Sequence, residues 1–334
     1  MSRDMMGAFE LYQPDSVEGA VELLGRFGAD GWALAGGNDS LDWFKDRIKR
    51  PKYVVDLSGI GALRGIRESA EGGVEIGALT TLTEVASSAV IQGRYGVLAT
   101  AAGRVASPQI RNTGTIGGNV SQDARCWYYR YGVNCYRAGG NTCYADTPQG
   151  QNREHCLFGA ARCVAVSPSD TAPALVALDA KMVIVGGKGQ REVKAEEFFI
   201  GPATDIQRMT VLEKGEVLTA IKVPAEWSGS RFYFEKVADR NTWDFPLVNV
   251  AAALKVSGAA GAEKVESLRI VAGGVQCVPR RLTVVEEVVK GQPKTAETAA
   301  LAGQSAVRGA TPLNFNHFKI PLLQNLVTRA IRDA

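Results

Sequence analysis

Arg111–Val120 reads R-N-T-G-T-I-G-G-N-V and runs directly into a segment that holds five of the chain's six cysteines. The glycines of this stretch, Gly114, Gly117 and Gly118, have no Cβ, so the backbone can take positive φ and come close to a ligand. Successive backbone N–H groups in such a turn form a concave anion site. The stretch therefore predicts a phosphate or flavin turn, and a plain tight turn between two elements is the alternative.

A second glycine turn lies near the N-terminus. Leu34–Ser40 (L-A-G-G-N-D-S) follows a short apolar run and precedes a helical pattern. A turn at a helix N-terminus within a strand–helix–strand pattern is a suitable place for a pyrophosphate. Neither turn matches G-x-G-x-x-G or G-x-x-x-x-G-K-[ST], which excludes the dinucleotide fingerprint and the P-loop. Two phosphate-type turns in one chain favour a flavin or nucleotide site.

The clustered cysteines are separated by 8, 7, 12 and 6 residues and are Cys126, Cys135, Cys143, Cys156 and Cys163. No C-x2-C pair occurs, which argues against the common zinc ribbons and fingers, and the spacing is not the ferredoxin run. Aromatic and arginine side chains fill the gaps, and they would supply the apolar shell and positive charge that suit an iron–sulfur cluster. The spacing favours a metal over disulfides or unrelated thiols, but it does not separate zinc from iron–sulfur.

The composition is that of an ordinary globular protein. The chain has 334 residues, 46% of them hydrophobic, and a net charge of +3, which is too small to predict nucleic-acid binding. No apolar run is long enough for a membrane span, and the first ten residues lack the apolar core of a signal peptide. We therefore expect a cytoplasmic protein, whose reduced cysteines prefer metals to disulfides. With two histidines and no Ser–His–Asp set, no catalytic residue is predicted.

Patterning predicts two domains. Short strands and helices alternate up to a linker-like segment at Pro224–Ser230, and we place the boundary after residue 226. Among the elements predicted before it are a helix at Arg94–Ala106 and a strand at Cys163–Val166. After it, three strand-like runs precede three helical ones, which is typical of a small α+β domain.

The two glycine turns resemble motifs of one family. Ala35–Ser40 resembles the first flavin motif of the FAD-binding medium subunits of the molybdenum hydroxylase (xanthine dehydrogenase) family, and Thr113–Asn119 is similar to the second. This resemblance covers nearly the whole chain and implies an α+β protein. Residues 1–226 would form a two-subdomain FAD domain of the vanillyl-alcohol-oxidase-like (PCMH) type, not a Rossmann domain. A cysteine-rich insertion would occupy about 122–164, and residues 227–334 would resemble the CO dehydrogenase flavoprotein C-terminal domain.

The insertion resembles that of the medium subunits of 4-hydroxybenzoyl-CoA reductase and of bacterial periplasmic aldehyde oxidoreductase, where it carries a [4Fe–4S] cluster near the flavin. The resemblance implies that the ligands are Cys126, Cys135, Cys143 and Cys163. Cys156 resembles a cysteine of the reductase type and is either a packed bystander or an alternative ligand. The adjacent His155 is expected to be structural.

The resemblance also implies how FAD is bound. Its pyrophosphate would lie on the first turn, and the second turn would face the flavin. Asp170 would contact the ribityl region, with a helix N-cap as the alternative role. Lys236 would lie on the strand that packs over FAD, with a surface lysine as the alternative. The implied cofactor-binding residues are Leu34, Ala35, Gly36, Gly37, Asn38, Asp39, Ser40, Thr113, Gly114, Thr115, Ile116, Gly117, Gly118, Asn119, Asp170 and Lys236.

By resemblance, the chain is an oxidoreductase subunit whose organic substrate reacts elsewhere. A large subunit would hold molybdopterin and a small subunit two [2Fe–2S] clusters, in a heterotrimer or its dimer. This chain would pass electrons between those clusters and an external acceptor or donor through FAD, with a ferredoxin-like protein as a candidate partner. The alternatives are a stand-alone FAD reductase with structural zinc and a non-catalytic assembly subunit.

Overall fold

The first of three sheets is small and parallel. The computed structural model describes residues 6–259 and 261–334, so the first five residues of the predicted FAD domain lie outside it. The sheet has the order β1–β3–β2, with strands β1 (Glu10–Tyr12), β2 (Gly31–Leu34) and β3 (Tyr53–Asp56) and helices α1 (Val17–Phe27) and α2 (Ser40–Lys45). The Ser16 hydroxyl caps α1 by accepting from the backbone N–H of Gly19, and the helix buries Ala20 and Leu24.

The second sheet is antiparallel and has the order β4–β5–β8–β6–β7. Its strands are β4 (Ile66–Glu68), β5 (Val74–Gly77), β6 (Lys181–Gly186), β7 (Gly189–Lys194) and β8 (Val217–Val223). The helices that lie between or beside these strands along the chain are α3 (Leu82–Ser87), α4 (Ala89–Arg94), α5 (Gly96–Gly103), α6 (Pro108–Thr113), α7 (Ile116–Val120), α8 (Trp127–Arg130), α9 (Thr171–Ala177) and α10 (Ala195–Phe198). The side chains of α5 and α9 pack with the apolar face of this sheet in one core.

The third sheet is antiparallel, with the order β12–β11–β10–β9, and three helices pack against it. Its strands are β9 (Arg231–Val237), β10 (Val248–Ser257), β11 (Lys264–Gly273) and β12 (Arg280–Arg281), and the helices are α11 (Thr283–Val289), α12 (Ala296–Ala306) and α13 (Lys319–Asp333). Successive β10 side chains point to opposite faces. Val250 and Ala252 pack with these helices, whereas Ala251 and Ala253 join the core of the second sheet. Strand β10 therefore ties the two halves of the chain together. The three sheets confirm the predicted α+β class.

Two predicted elements differ from the structure. The predicted helix at Arg94–Ala106 is present but shorter, as α5 at Gly96–Gly103. Tyr95, with φ −140° and a buried ring whose hydroxyl donates to the Pro224 carbonyl, separates it from α4. The predicted strand at Cys163–Val166 is wrong, because its backbone pairs with no strand and only an isolated bridge joins Arg125 to Val166. That apolar run is buried as irregular chain among the cysteines. Within the part of the chain that is described, no helix combines the length and apolarity needed to cross a bilayer.

Candidate functional site

The two glycine turns are in direct contact. A Cβ added to Gly36 would lie 2.2 Å from the backbone oxygen of Thr113, so the two backbones touch only because Gly36 has no side chain. The Asn38 side-chain amide donates to Thr113 Oγ1 at 3.1 Å and to the Ile110 carbonyl at 3.3 Å. Segments about 75 residues apart in sequence thus form one wall.

The glycines of the second turn allow close packing, and two of them, Gly114 and Gly118, also line the cavity described below. None of Gly114, Gly117 and Gly118 uses the positive φ that glycine allows, and of the two glycine pairs only Gly37 has it, at +76°. Gly117 and Gly118 lie inside helix α7. A Cβ on Gly117 would lie 2.8 Å from the Ala78 carbonyl, and one on Gly114 would lie 2.8 Å from the Ile110 carbonyl. These glycines are therefore needed for close packing.

The turns open onto a cavity of about 510 Å³, which lies within the usual range for a ligand or cofactor pocket. Eleven of the sixteen residues that the resemblance implies line it, and five do not: Leu34, Thr113, Ile116, Gly117 and Lys236. The cavity has further walls that sequence reasoning missed. They come from segments far along the chain, Gln207–Thr210 and Trp243–Phe245.

Asp170 and Lys236 form a buried ion pair at this cavity. Lys236 Nζ lies 2.6 Å from Asp170 Oδ2 and also donates to the carbonyls of Arg104 and Asp244. Asn249 Nδ2 donates to the other carboxylate oxygen at 2.9 Å. Asp170 occupies the N-cap position of α9, but its side chain makes no cap hydrogen bond and is engaged in the ion pair. Lys236 is buried, so it is not the surface lysine of the alternative. Burial raises the pKa of Asp170, and the Lys236 ammonium opposes that rise.

Lys236→Met is expected to destabilise the apoprotein by about 3–5 kcal/mol at pH 8, because it leaves the buried Asp170 carboxylate without its cation. When folding raises the pKa of a carboxyl group, the free energy of unfolding of the protein falls as the pH rises above the ordinary pKa of that group. The loss should therefore be smaller at pH 5. Urea unfolding of wild type and variant at both pH values measures it. Lys222→Met, which breaks the surface pair with Glu192, should cost less than about 1 kcal/mol. A pH-independent loss for Lys236→Met would contradict the assignment.

The first glycine turn is attached to the cysteine insertion by charge. Asp39 Oδ1 accepts from Arg130 at 2.8 Å, and Asp39 Oδ2 accepts from the Trp43 indole at 3.1 Å. The Arg130 guanidinium lies over the Trp43 ring, 4.3 Å from its centroid. Trp43 in turn packs against Tyr129 of the insertion, with ring centroids 5.1 Å apart. Trp43 lines the large cavity and Tyr129 lines a second one, so this ring pair lies between the two cavities.

Asp123 contacts several polar groups next to the Trp43–Tyr129 ring pair. Its carboxylate accepts from the Tyr129 hydroxyl at 2.9 Å and lies 3.3 Å from both the Lys49 ammonium and the Arg137 guanidinium. Burial and the Asp123 charge raise the pKa of Tyr129 beyond its usual range. The Tyr129 hydroxyl therefore stays protonated.

The second cavity lies inside the insertion, and four of the six cysteines line it: Cys126, Cys135, Cys143 and Cys163. Three of them are buried and Cys143 is half-buried. Burial raises the pKa of Cys126 to about 12. The Cys126 thiol therefore stays protonated unless a cation stabilises the thiolate. A bound metal does this, because it displaces the thiol proton. Cys156 does not line this cavity.

The donor set of the second cavity suits an iron–sulfur cluster. Four thiols are the usual protein ligands of such a cluster. Arg137 also lines the cavity, and its buried Nε has no hydrogen-bond acceptor among the described residues. The enclosed space is only about 10 Å³, which is room for about one water, so the sulfurs must spread to admit a cluster. Consistently, no group of three or more His, Cys, Asp or Glu within residues 6–259 and 261–334 is arranged to hold a metal ion.

The remaining cysteines lie behind this cavity. Cys156 and Cys277 are both buried, and burial raises the pKa of each to about 12. Cys277 accepts from Arg137 at 3.5 Å. It was missed in the sequence because it lies outside the clustered segment. His155 Nε2 lies 3.2 Å from Cys126 Sγ, and burial lowers the pKa of His155 to about 4, so the imidazole is neutral.

The C-terminal residues hold the insertion in place. Lys319 Nζ is buried and donates to the carbonyls of Glu154, His155 and Gly274 at 2.8, 3.0 and 2.8 Å. Asn316 Nδ2 donates to the carbonyls of His155 and Cys156. Burial lowers the pKa of Lys319 to about 7. This contact fixes the backbone next to Cys156 from a helix more than 150 residues away in sequence.

Comparison with known proteins gives two family matches and several relatives. Residues 7–226 match the FAD binding domain in molybdopterin dehydrogenase, and residues 232–334 match the CO dehydrogenase flavoprotein C-terminal domain. The carbon monoxide dehydrogenase medium chain of Hydrogenophaga pseudoflava is 30% identical over 98% of this chain and 96% of its own length. The aldehyde oxidoreductase FAD-binding subunit PaoB of Escherichia coli is 31% identical over 90% of each chain.

A solved structure agrees with these matches. Carbon monoxide dehydrogenase from Hydrogenophaga pseudoflava superposes with a TM-score of 0.77 at 30% identity, covering 98% of this chain and 97% of that one. Quinoline 2-oxidoreductase from Pseudomonas putida 86 has the same fold, with a TM-score of 0.77 at 24% identity. The chain belongs to the FAD-binding medium subunits of the molybdenum hydroxylase and carbon monoxide dehydrogenase family, and it is a subunit of an oxidoreductase.

Proposed function

We propose that this chain is an electron-transfer subunit that holds FAD in the large cavity and a [4Fe–4S] cluster on Cys126, Cys135, Cys143 and Cys163. The observation that carries the proposal is the convergence of four clustered cysteines on one cavity beside the cavity of the two glycine turns. Electrons would pass between [2Fe–2S] clusters of a partner and an external acceptor or donor. FAD, when bound, supplies redox chemistry that links two-electron and one-electron carriers.

The residues of the large cavity have distinct roles in this proposal. The first turn, Ala35–Ser40, would bind the FAD pyrophosphate, and the second, Thr113–Asn119, would face the flavin. Asp170, held by Lys236 and Asn249, would accept from ribityl hydroxyls without moving, since both its oxygens are already fixed. Asn249 Oδ1 is buried without a partner among the described residues, which leaves one more acceptor beside Asp170.

The cysteine assignment follows from which side chains share the small cavity. Cys156 is buried elsewhere, next to the Asn316 and Lys319 contacts, and we propose that it packs without binding metal. Cys143 is the most exposed of the four proposed ligands. It would therefore be the end of the cluster nearest to a redox partner.

We further propose the assembly that the relatives suggest. A relative is named as the medium chain of carbon monoxide dehydrogenase. By analogy, this chain would join a large molybdopterin subunit and a small subunit with two [2Fe–2S] clusters. The exposed rings of Trp127 and Tyr131, 60% and 68% accessible, lie on the same insertion as Cys143 and offer a contact surface for a ferredoxin-like protein. We place the division between the two domains after residue 226.

Anaerobically purified protein is expected to contain FAD, iron and acid-labile sulfide, and chelation of the iron should leave the flavin bound. The two cofactors would occupy separate cavities, so removal of one need not empty the other. Absorbance spectroscopy and metal analysis measure both. Zinc without sulfide would instead support a stand-alone FAD reductase with a structural metal. Protein with neither flavin nor metal would support an assembly subunit and would overturn the proposal.

A further inference from the structure

Arg137 lies between the two cavities. Its side chain has no solvent exposure, and it lines the cavity of the four cysteines. One terminal nitrogen of its guanidinium, Nη1, lies 3.3 Å from Asp123 Oδ1 and donates to the Gln207 carbonyl at 3.2 Å. Asp123 and Gln207 both line the large cavity. A single buried cation therefore contacts the walls of both sites.

One of its donors has no acceptor. The terminal nitrogens bond to Asp123, Gln207 and Cys277, but the buried Nε–H has no partner among the described residues. A buried donor without an acceptor costs about 1–3 kcal/mol, and more for a charged group. An anionic acceptor in the cysteine cavity would remove that cost. Cluster sulfides and cysteine thiolates are acceptors of that kind.

We propose that Arg137 is a positioning residue that donates a hydrogen bond to the cysteine-bound cluster and raises its reduction potential. The inference rests on the function proposed above. A reduced cluster carries one more negative charge than an oxidised one, so a fixed nearby cation and a hydrogen bond to sulfur favour the reduced state. Because Arg137 is buried, solvent does not screen this effect as it would for an exposed cation.

Its contact with Asp123 keeps the guanidinium in one orientation. Asp123 is itself held by Lys49 and by the Tyr129 hydroxyl, so the acceptor cannot turn away. Lysine at position 137 would keep the charge but lose the planar fork that reaches Asp123, Gln207 and Cys277 together. Substitution by methionine removes both the charge and the directed hydrogen bonds, whereas substitution by lysine removes only the hydrogen-bond geometry. The two variants therefore separate the two effects.

The test compares Arg137→Met, Arg137→Lys and a matched control, Arg153→Met, in the full chain with its partner subunits. Arg153 lies in the same insertion but forms a surface pair with Asp239. Iron, sulfide and FAD are measured first, and the cluster is then titrated by EPR at controlled potential. For Arg137→Met we expect the reduced-to-oxidised ratio at a fixed potential to fall at least tenfold, which is 59 mV for one electron. The ratio should fall less in Arg137→Lys, and in Arg153→Met it should equal that of the wild type.

Three outcomes would overturn the inference. An iron-loaded Arg137→Met protein with a ratio within twofold of wild type would show that the cation has no influence. If Arg137→Met does not fold, the test rests on Arg137→Lys. An unchanged reduced-to-oxidised ratio in that variant would show that the hydrogen bond has no influence on the cluster. Loss of iron from both variants would make Arg137 a residue that retains the cluster and not one that tunes it. Wild-type protein without iron and sulfide would instead overturn the proposed cluster itself, and this is seen before any titration.

Discussion

Gly36→Ala is expected to abolish FAD binding in a chain that still folds. The new Cβ would lie 2.2 Å from the Thr113 oxygen and 3.0 Å from its carbonyl carbon. Both atoms belong to backbone, so no side chain can rotate away, and the second turn must move. We expect the two turns to separate and the wall that they form to open. Flavin absorbance per chain after purification, together with flavin release on denaturation, measures the loss.

Gly25→Ala is the matched control for this substitution. Gly25 lies inside helix α1, and a Cβ there would meet nothing within 4 Å. Alanine in a helix interior is favoured over glycine by about 1 kcal/mol, so this variant should be at least as stable as wild type and fully loaded with FAD. Normal flavin content in Gly36→Ala would show that the contact between the turns is not needed for the cofactor.

Cys143→Ser is expected to lose most of the iron while the flavin stays bound. Serine has nearly the same shape, but a hydroxyl is a poor substitute for the thiolate that iron–sulfur clusters require. Cys143 does not line the large cavity in which we propose that FAD binds, so the flavin content should not change. Iron and sulfide per chain and the flavin spectrum, measured on one anaerobic preparation, test both halves of the expectation.

Cys156→Ser provides the control within the same segment. Cys156 is buried but does not line the cavity of the four cysteines, so this variant should keep its iron. The pair of substitutions decides between Cys143 and Cys156 as the bystander. Normal iron in Cys143→Ser combined with loss in Cys156→Ser would exchange their roles.

The sequence predicted the positions of the elements around the first turn because their patterns are local. Helix α1, for instance, has an apolar face with period 3.6, a serine cap and a terminal glycine. The conformation of the second turn was not predictable in this way. Gly117 is required by the Ala78 carbonyl, which approaches from another strand end, and no local pattern reveals that neighbour. The strand expected at Cys163–Val166 failed for a related reason, since burial of an apolar run does not require a pairing partner.

Other parts of the site depend on contacts between distant segments. Cys277 lies more than 100 residues beyond the clustered cysteines, and only folding brings it to Arg137. In the sequence, Arg137 does not differ from the other arginines of the insertion. Only the structure shows that Arg137 is buried, whereas Arg153 lies at the surface. The Asp170–Lys236 pair shows the opposite case. Family resemblance pointed to both residues, but the ion pair between them was not foreseen.

The contact of Lys319 with the insertion makes the thiol pocket depend on the C-terminal region of the chain. The carbonyls of Glu154 and His155 receive their donor from a residue that lies 165 and 164 positions further along. All five clustered cysteines precede that region, yet helix α13 fixes the backbone beside Cys156. We therefore expect limited proteolysis that removes helix α13 to loosen the thiol pocket, although every one of its cysteines stays in the remaining fragment.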